Sequence, residues 1–202
     1  ITFEGIDGSG KSTQIALLQK KLLKAGKTVN VFREPGGTAV SELIRKILLN
    51  PEVELNTVTE LLLFSSARSQ LVTEKVIPAL NRDEIVILDR FYDSTTAYQG
   101  HGRNSLPIEQ INQINLIASH ALKPDITFYL RLSIEESNKR RADLSKDRME
   151  QAGDEFFNNV IKGFDELAVS NEQFVTIEAS QAIDHIHEQI LESVLKNLRR
   201  QV

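Results

Sequence analysis

Residues 4–13 of the chain read EGIDGSGKST and place three glycines, a lysine and several hydroxyls directly after a short apolar segment. The residues from Gly5 to Ser12 fit the pattern G-x-x-x-x-G-K-[ST], the P-loop. Glycines allow backbone N–H groups to turn inward and phosphate oxygens to approach without a Cβ in the way, and the N-terminus of a following helix adds partial positive charge. This stretch is therefore predicted to bind the phosphates of a nucleotide.

Two side chains of this loop and one acid further along the chain have the chemistry to handle a nucleotide and its metal ion. Lys11 would reach the β- and γ-phosphates, and Ser12 would ligate Mg²⁺. Asp89 follows four apolar residues, as the acid of a Walker B motif does, and is the second predicted Mg²⁺ ligand. The alternatives are a flexible glycine turn with a solvated lysine and, for Asp89, a helix cap or turn residue. The nucleotide would be held by Gly5, Ile6, Asp7, Gly8, Ser9, Gly10, Lys11, Ser12 and Thr13.

These residues need a scaffold, and short apolar segments alternate with longer helical patterns along the chain. Strands are expected at 1–5, 28–33, 84–89, 125–132 and 174–178. Helices are expected at 12–25, 38–49 and 57–80, from about 107, twice more before the last strand, and at the C-terminus. Crossover connections between such strands are almost always right-handed, so we expect a three-layer α/β fold with a parallel sheet of about five strands and helices on both faces. Ligands of such sheets bind at the carboxyl ends of the strands.

The composition limits the class of protein and its partners. With 202 residues, 41% of them hydrophobic and 26% charged, the chain is expected to form a single domain over 1–202. Its net charge of −4 argues against a general affinity for nucleic acid polymers, and no apolar run approaches the length of a membrane span. The absence of cysteine excludes a disulfide framework and a thiolate metal site. With no leader-like segment before the first strand, we expect a cytoplasmic protein.

P-loop proteins do many things, so the rest of the chain must decide the function. A GTP-dependent switch would carry an N-K-x-D guanine-binding motif, and residues 138–141 depart from it at the last position. A nucleic-acid motor would normally be longer and carry basic or aromatic tracks, which this acidic, tryptophan-free chain lacks. The function class that remains is phosphoryl transfer to a small acceptor.

Three segments resemble a known family: FREPGGT at 32–38, ELIR at 42–45 and DRFYDSTTAYQG at 89–100. Together they closely resemble the thymidylate kinases, and the resemblance runs nearly from end to end. It implies a P-loop NTPase fold, transfer of the γ-phosphoryl group of ATP to dTMP with Mg²⁺, and a homodimer. The alternatives are a related nucleotide or deoxynucleoside kinase for another base, and a P-loop regulatory module that only binds nucleotide.

Phe64 and Arg68 lie four residues apart on a predicted helix, so they share a face of it. The resemblance implies that Phe64 stacks on thymine and that Arg68 hydrogen-bonds the 4-oxo group of the base. Periodicity alone favours Phe64 as a core residue beside Ala67 and Leu71. An arginine in the middle of that stripe needs a partner, and a carbonyl acceptor on a stacked base would serve.

The resemblance assigns the remaining acceptor residues. Arg45 and Arg90 would clamp the monophosphate, although Arg45 also fits a solvated helix face. Asp7 would meet the sugar 3′-hydroxyl or a metal-bound water, although it also fits a partner for the dipole of the following helix. Tyr98 would crowd the ribose 2′ position. Glu34 would bind substrate indirectly and is not assigned as a general base, because the attacking group is already an anionic phosphate oxygen. The base side of the pocket would be lined by Ser94, Thr95 and Gln99.

Residues 138–148 hold five cations before Gly153, and residues 138–152 are expected to form a lid. In the resembled family an arginine that stabilises the transferring phosphoryl group comes either from the P-loop position after Asp7 or from the lid. Here that position is Gly8, so the lid is expected to supply the arginine, as in the bacterial type. The alternative is an exposed, salt-bridged helix. The expected catalytic residues are Lys11, Arg90, Arg141 and Arg148, with Arg140 and Lys146 as further lid candidates.

Overall fold

The computed structural model describes residues 1–142 and 147–200, and a five-stranded sheet forms the centre of the fold. The order across the sheet is β2-β3-β1-β4-β5, and every neighbouring pair is parallel. Because all strands point the same way, their carboxyl ends meet at one edge of the sheet. The parallel α/β sheet expected from the sequence is confirmed. Its strands are β1 (Thr2–Glu4), β2 (Val29–Arg33), β3 (Ile85–Asp89), β4 (Thr127–Arg131) and β5 (Phe174–Glu178).

Helices connect the strands and extend the chain beyond the last one. They are α1 (Lys11–Lys24), α2 (Ala39–Leu49), α3 (Thr57–Leu71), α4 (Ile77–Leu80), α5 (Tyr92–Thr95), α6 (Ile108–Ala118), α7 (Ile134–Arg140), α8 (Asp154–Ser170) and α9 (Ile183–Arg200). The expected helix 57–80 is one continuous run, because α3 passes into α4 through a π-helical segment, Val72–Val76. A second π-helical segment, Thr96–Gly102, continues α5, and a 3₁₀ turn spans Glu150–Ala152. None of the helices in the described ranges is long and apolar enough to cross a membrane.

The sheet is covered on both faces, as the alternation of side chains along β3 shows. Ile87 belongs to the same apolar cluster as Leu18 of α1. Val86 and Leu88 belong to a different cluster, which includes Val76 of the segment that follows α3. Because successive side chains of a strand point to opposite faces, the two clusters lie on opposite sides of the sheet. The expected three-layer arrangement is present.

The central strands β1 and β4 carry the deepest part of the core. Phe3 pairs in register with Phe128, both are fully buried, and their ring centroids lie 5.1 Å apart. One residue earlier, the Thr2 hydroxyl donates to the Thr127 hydroxyl at 2.9 Å. The loop that follows β1 therefore begins from a closely packed support, which is what an accurately placed phosphate site needs.

Candidate active site

The loop between β1 and α1 has the backbone conformation that phosphate binding needs. Gly5 and Gly8 have φ angles of 130° and 79°, a region that side chains disfavour. A Cβ at Gly5 would also lie 2.5 Å from the carbonyl oxygen of Leu130. Gly10 precedes α1, and no side chain of the described residues caps this helix N-terminus. The first N–H groups of α1 therefore remain available to an anion.

Lys11, Ser12 and Asp89 come together where β1 and β3 end. The Lys11 ammonium donates to the carbonyl oxygens of Gly5 and Ile6, at 3.0 and 3.1 Å. Burial, with the nearby Arg90 cation, lowers the pKa of Lys11 to about 8, and bound phosphate oxygens would favour its charged form. The Ser12 hydroxyl donates to an Asp89 carboxylate oxygen at 3.2 Å. These are hard oxygen ligands, so the Ser12–Asp89 pair fits a Mg²⁺ ion shared with phosphates.

Arg90 crosses from the end of β3 to the P-loop. Its Nη1 donates to the Gly5 carbonyl at 2.8 Å and to the Ser94 hydroxyl at 3.2 Å, and its Nη2 donates to Asp7 Oδ1 at 2.8 Å. Burial alone would raise the pKa of Asp7, but the Arg90 and Lys11 cations outweigh it and hold that pKa well below its usual range. Asp7 is therefore an anion that keeps Arg90 in place.

Arg68 of α3 is 2% exposed and has found a partner within the protein. Its Nε donates to Glu34 Oε2 at 2.8 Å, and its Nη2 donates to Thr95 Oγ1 at 2.9 Å and to the Phe91 carbonyl at 3.1 Å. Its Nη1 donates to Asn115 Oδ1 at 3.3 Å. Burial raises the pKa of Glu34 to about 7, and Arg68 limits that rise. Glu34, which was expected to act on substrate indirectly, is thus placed to act through Arg68.

A cavity of about 110 Å³ opens beside these arginines. All ten predicted substrate residues line it: Asp7, Glu34, Arg45, Phe64, Arg68, Arg90, Ser94, Thr95, Tyr98 and Gln99. Arg45 reaches the cavity from α2 and donates to the Pro35 carbonyl at 2.9 Å. The structure therefore brings together residues that are spread over more than ninety positions of the sequence. We call this the acceptor cavity.

A second, more open groove of about 430 Å³ adjoins the acceptor cavity. It is lined by P-loop residues, by Asp89 and by Arg33, Arg140 and Arg141. The two spaces share four walls: Asp7, Glu34, Arg45 and Arg90. Two anionic groups, one in each space, would therefore face each other across the same guanidinium groups. We call the second space the phosphate groove.

Comparison with known proteins decides the family. The sequence model of the thymidylate kinase family matches residues 3–190. A thymidylate kinase of Prosthecochloris aestuarii is 47% identical over 96% of this chain and 92% of its own length. Another, from a Thermoanaerobacter species, is 44% identical over 98% of both chains. The chain belongs to the thymidylate kinase family. The resemblance carried by the three sequence segments is confirmed, and with it the P-loop NTPase fold.

In this member of the thymidylate kinase family, α7 and the beginning of the predicted lid contact the P-loop. The Ser137 hydroxyl of α7 donates to the Asp7 carbonyl at 2.7 Å. Arg140 donates to the Gly8 carbonyl at 3.1 Å and to the carbonyl of Ala179, just after β5, at 2.9 Å. α7 is therefore held against the predicted nucleotide site.

The two predicted lid arginines lie in different places. Arg141 lines the phosphate groove and forms an ion pair with Glu150. Arg148 instead donates to Glu60 Oε2 at 2.6 Å and is not among the described residues that line the groove. The structure thus brings Arg141, but not Arg148, beside the P-loop. Lys146, the further candidate, lies outside the described residues.

Sequence reasoning missed several residues of the site. Asn115 of α6 holds Arg68, and Asp147 and Met149 of the lid line the acceptor cavity. Glu60 had a signal, since it precedes Phe64 by four residues on the same helix and shares its face. Asn115, Asp147 and Met149 carry no such signal, because nothing local in the sequence shows that they approach a cavity lined mainly by distant elements.

We expect the substitution Arg68→Met to destabilise the protein more at high pH than at low pH. The stabilising contribution of Glu34 is complete below its usual pKa of 4.5 and is lost as the pH rises to about 7. Without Arg68 the pKa of Glu34 rises further, so the variant continues to lose stability above pH 7. Urea unfolding should show a deficit of about 3 kcal/mol near pH 8.5 and a smaller one at pH 6.

The double variant Arg68→Met/Glu34→Gln is the matched control, because it lacks the carboxylate. Its stability deficit should be nearly independent of pH. Equal deficits for Arg68→Met at pH 6 and pH 8.5 would contradict the coupling between Arg68 and Glu34.

Proposed function

We propose that this chain transfers the γ-phosphoryl group of Mg-ATP to dTMP and forms dTDP, a step of dTTP biosynthesis. The observation that carries the proposal is the pair of adjoining spaces that share Asp7, Glu34, Arg45 and Arg90. Family membership supports the same reaction, because the relatives are named thymidylate kinases. A kinase for another base would use the same two spaces, whereas a regulatory module would need no acceptor cavity.

The proposed reaction needs positioning and charge compensation rather than a general base. An oxygen of the acceptor phosphate attacks the γ-phosphorus, the bond from that phosphorus to the β–γ bridging oxygen breaks, and ADP leaves with the electron pair. Lys11 and the P-loop N–H groups hold the ATP phosphates. A bound Mg²⁺, held by Ser12 and Asp89, would neutralise part of their charge. Arg45 and Arg90 hold the acceptor phosphate in line.

Phe64 and Arg68 are proposed to recognise the base. Phe64 offers an aromatic face at the wall of the acceptor cavity. A guanidinium has five N–H groups, and the four hydrogen bonds of Arg68 leave one of Nη1 for the 4-oxo group of thymine. A 4-amino base would place a donor against that donor. The ring of Tyr98 lies 5.0 Å from the Arg90 guanidinium, so it is placed at the sugar-phosphate end, where it would crowd a 2′-hydroxyl.

The proposed function is tested by a panel of nucleoside monophosphates at saturating Mg-ATP, with ADP formation as the readout. We expect dTMP to have the highest kcat/KM and dCMP to be lower by about a hundredfold or more, because its 4-amino group meets Arg68. Turnover of another monophosphate but not dTMP would replace the proposed acceptor. ATP binding without turnover of any acceptor would favour the regulatory module.

Arg141 is proposed as the residue that stabilises charge on the transferring phosphoryl group. It lines the phosphate groove, and its side chain packs where a side chain at position 8 would lie, since a Cβ on Gly8 would be 3.1 Å from Arg141 Cδ. Burial disfavours the charged form of Arg141, but the carboxylate of Glu150, with that of Asp7, outweighs burial and raises the pKa of Arg141. The attraction between a fixed cation at this place and the transferring phosphoryl group strengthens as negative charge develops in the transition state.

We expect Arg141→Ala to lower kcat by about a hundredfold while the KM for dTMP changes by less than about threefold. Lys139→Ala is the matched control, because Lys139 lies only two residues before Arg141, at the end of α7, but is 65% exposed and pairs only with Glu135 among the described residues. That control should keep wild-type kcat. Wild-type turnover in Arg141→Ala would remove Arg141 from the mechanism.

A homodimer is the second part of the proposal. Val40, Leu43 and Ile47 project from α2 at helical spacing and remain exposed, and Val58 and Leu62 do the same on α3. α2 and α3 pack against each other, and we propose that these exposed side chains form one apolar surface that a second copy covers. Because the proposed substrates are soluble nucleotides, we keep the cytoplasm as the proposed location.

We expect the wild-type protein to sediment at twice the mass of one chain at micromolar concentration and Leu43→Glu to sediment as a monomer. Leu43 is 62% exposed in the isolated chain, so the substitution removes dimer burial without opening the core. Leu23→Glu, on α1 at 51% exposure, is the matched control and should leave the mass unchanged. A wild-type monomer, or a dimeric Leu43→Glu, would contradict this assignment of the interface.

A further inference from the structure

Glu60 is a buried carboxylate on α3, 1% exposed, and it accepts hydrogen bonds from three residues in two separate parts of the chain. Gln99 Nε2 donates to Oε1 at 3.0 Å, and Arg103 Nε donates to the same oxygen at 3.3 Å. Arg148 Nη1 donates to Oε2 at 2.6 Å. A buried carboxylate is costly unless it is paired and hydrogen-bonded, and these donors meet that need.

Arg148 ties the far end of the lid to the body of the protein. Besides Glu60 it bonds α2, because its Nε donates to the Leu48 carbonyl at 2.7 Å and its backbone N–H donates to the Leu49 carbonyl at 3.3 Å. The residues on either side of it, Asp147 and Met149, both line the acceptor cavity. The position of Arg148 therefore sets the position of one wall of that cavity.

Glu60 also binds a second residue of the cavity wall. Gln99 lines the acceptor cavity from the segment after α5, while its side-chain amide donates to Glu60. Arg103 adds a link between the walls, with its Nη2 at 3.9 Å from the Met149 sulfur and its guanidinium 4.5 Å from the Phe156 ring. Glu60 is not itself among the described residues that line the cavity. Any effect it has on an acceptor must pass through its partners.

We propose that Glu60 is a positioning residue that latches the lid segment 147–149 over the acceptor cavity, through Arg148 on one side and Gln99 on the other. This inference rests on the proposed acceptor role of the cavity. A latched wall is already ordered before the acceptor arrives, so the acceptor does not have to order it on binding. The latch therefore sets acceptor affinity and leaves the chemical step to the groups in the phosphate groove.

The test compares Glu60→Gln, Arg148→Gln and the double variant in steady-state kinetics with dTMP and ATP varied separately. Each single variant should raise the KM for dTMP about tenfold, with kcat within about threefold of wild type and the KM for ATP unchanged. The double variant should raise the KM for dTMP by clearly less than the product of the two single effects, because the two substitutions share the Glu60–Arg148 interaction. Arg148→Lys keeps the positive charge but loses the planar guanidinium with its several N–H donors. It should bind dTMP more tightly than Arg148→Gln and less tightly than wild type.

Arg82→Gln is the control, because Arg82 also pairs with a glutamate, Glu84, in a remote and exposed position. It should leave every kinetic parameter unchanged. If Glu60→Gln fails to fold, Arg148→Gln tests the latch, because it leaves the buried helix face of α3 intact. Loss of kcat at unchanged KM in Arg148→Gln would overturn the latch and favour a catalytic role for Arg148. Multiplying effects in the double variant would also overturn it.

A second readout does not depend on the identity of the acceptor. Amide hydrogen exchange in nucleotide-free protein should be several-fold faster at residues 147–152 in both single variants than in wild type. Unchanged exchange there would overturn the latch. Absence of dTMP turnover by the wild-type protein would instead reject the proposed function, while the exchange result would still decide whether Glu60 holds the lid.

Discussion

The rest of the site depends on the contacts of the Arg90 guanidinium, because Arg90 lines both the phosphate groove and the acceptor cavity. The backbone of Arg90 has a φ of 71°, which is uncommon for any residue other than glycine. This conformation costs of order 1 kcal/mol or more and persists only where neighbouring groups hold it. The Gly5 carbonyl and Asp7 hold it from the P-loop side. Ser94, which accepts from Arg90, donates in turn to the buried Glu4 at the end of β1 at 2.5 Å. The strained turn after β3 is thus tied to the strand that carries the P-loop.

This arrangement explains how an acidic chain can bind two anionic ligands. The net charge of −4 gives no general attraction for phosphates, so the cations must be local and must not be neutralised by their own partners. Lys11 meets that condition by bonding carbonyl oxygens rather than carboxylates, and Arg45 by bonding the Pro35 carbonyl. Arg90 has one carboxylate hydrogen-bond partner, and Arg68 has Glu34, whose pKa is raised by burial. The site therefore keeps positive charge that is only partly neutralised where the phosphate oxygens are proposed to lie.

Much of the fold could be predicted from sequence because its signals are local. Periods of two and 3.6 residues place the strands and helices, and a short spacing rule places the P-loop. The order of strands and the pairing of side chains across elements have no local signal. Arg68 on α3 could be recognised as a buried cation that needs a partner. The partner, Glu34, lies thirty-four residues earlier in the chain, just after β2. The π-helical segments 72–76 and 96–102 were also beyond reach, since they keep the helical pattern and change only the hydrogen bonding.

The lid shows the same division most clearly. Composition predicts a cationic segment, and the family resemblance, with glycine at position 8, implies that one arginine of this segment serves the phosphates, but neither says which one. The geometry distinguishes Arg141 from Arg148, because an arginine can serve the phosphoryl group only if other contacts do not both neutralise its charge and fix it elsewhere. Arg148 is bound to a buried carboxylate and a helix end, so moving it would remove one of the two arginine partners of the buried Glu60. Arg141 is bound to a less deeply placed acid and lies in the space that Gly8 leaves open. The absence of a side chain at Gly8 and the position of Arg141 are therefore two parts of one packing arrangement. A larger residue at position 8 would displace Arg141, the arginine that we propose stabilises the transferring phosphoryl group.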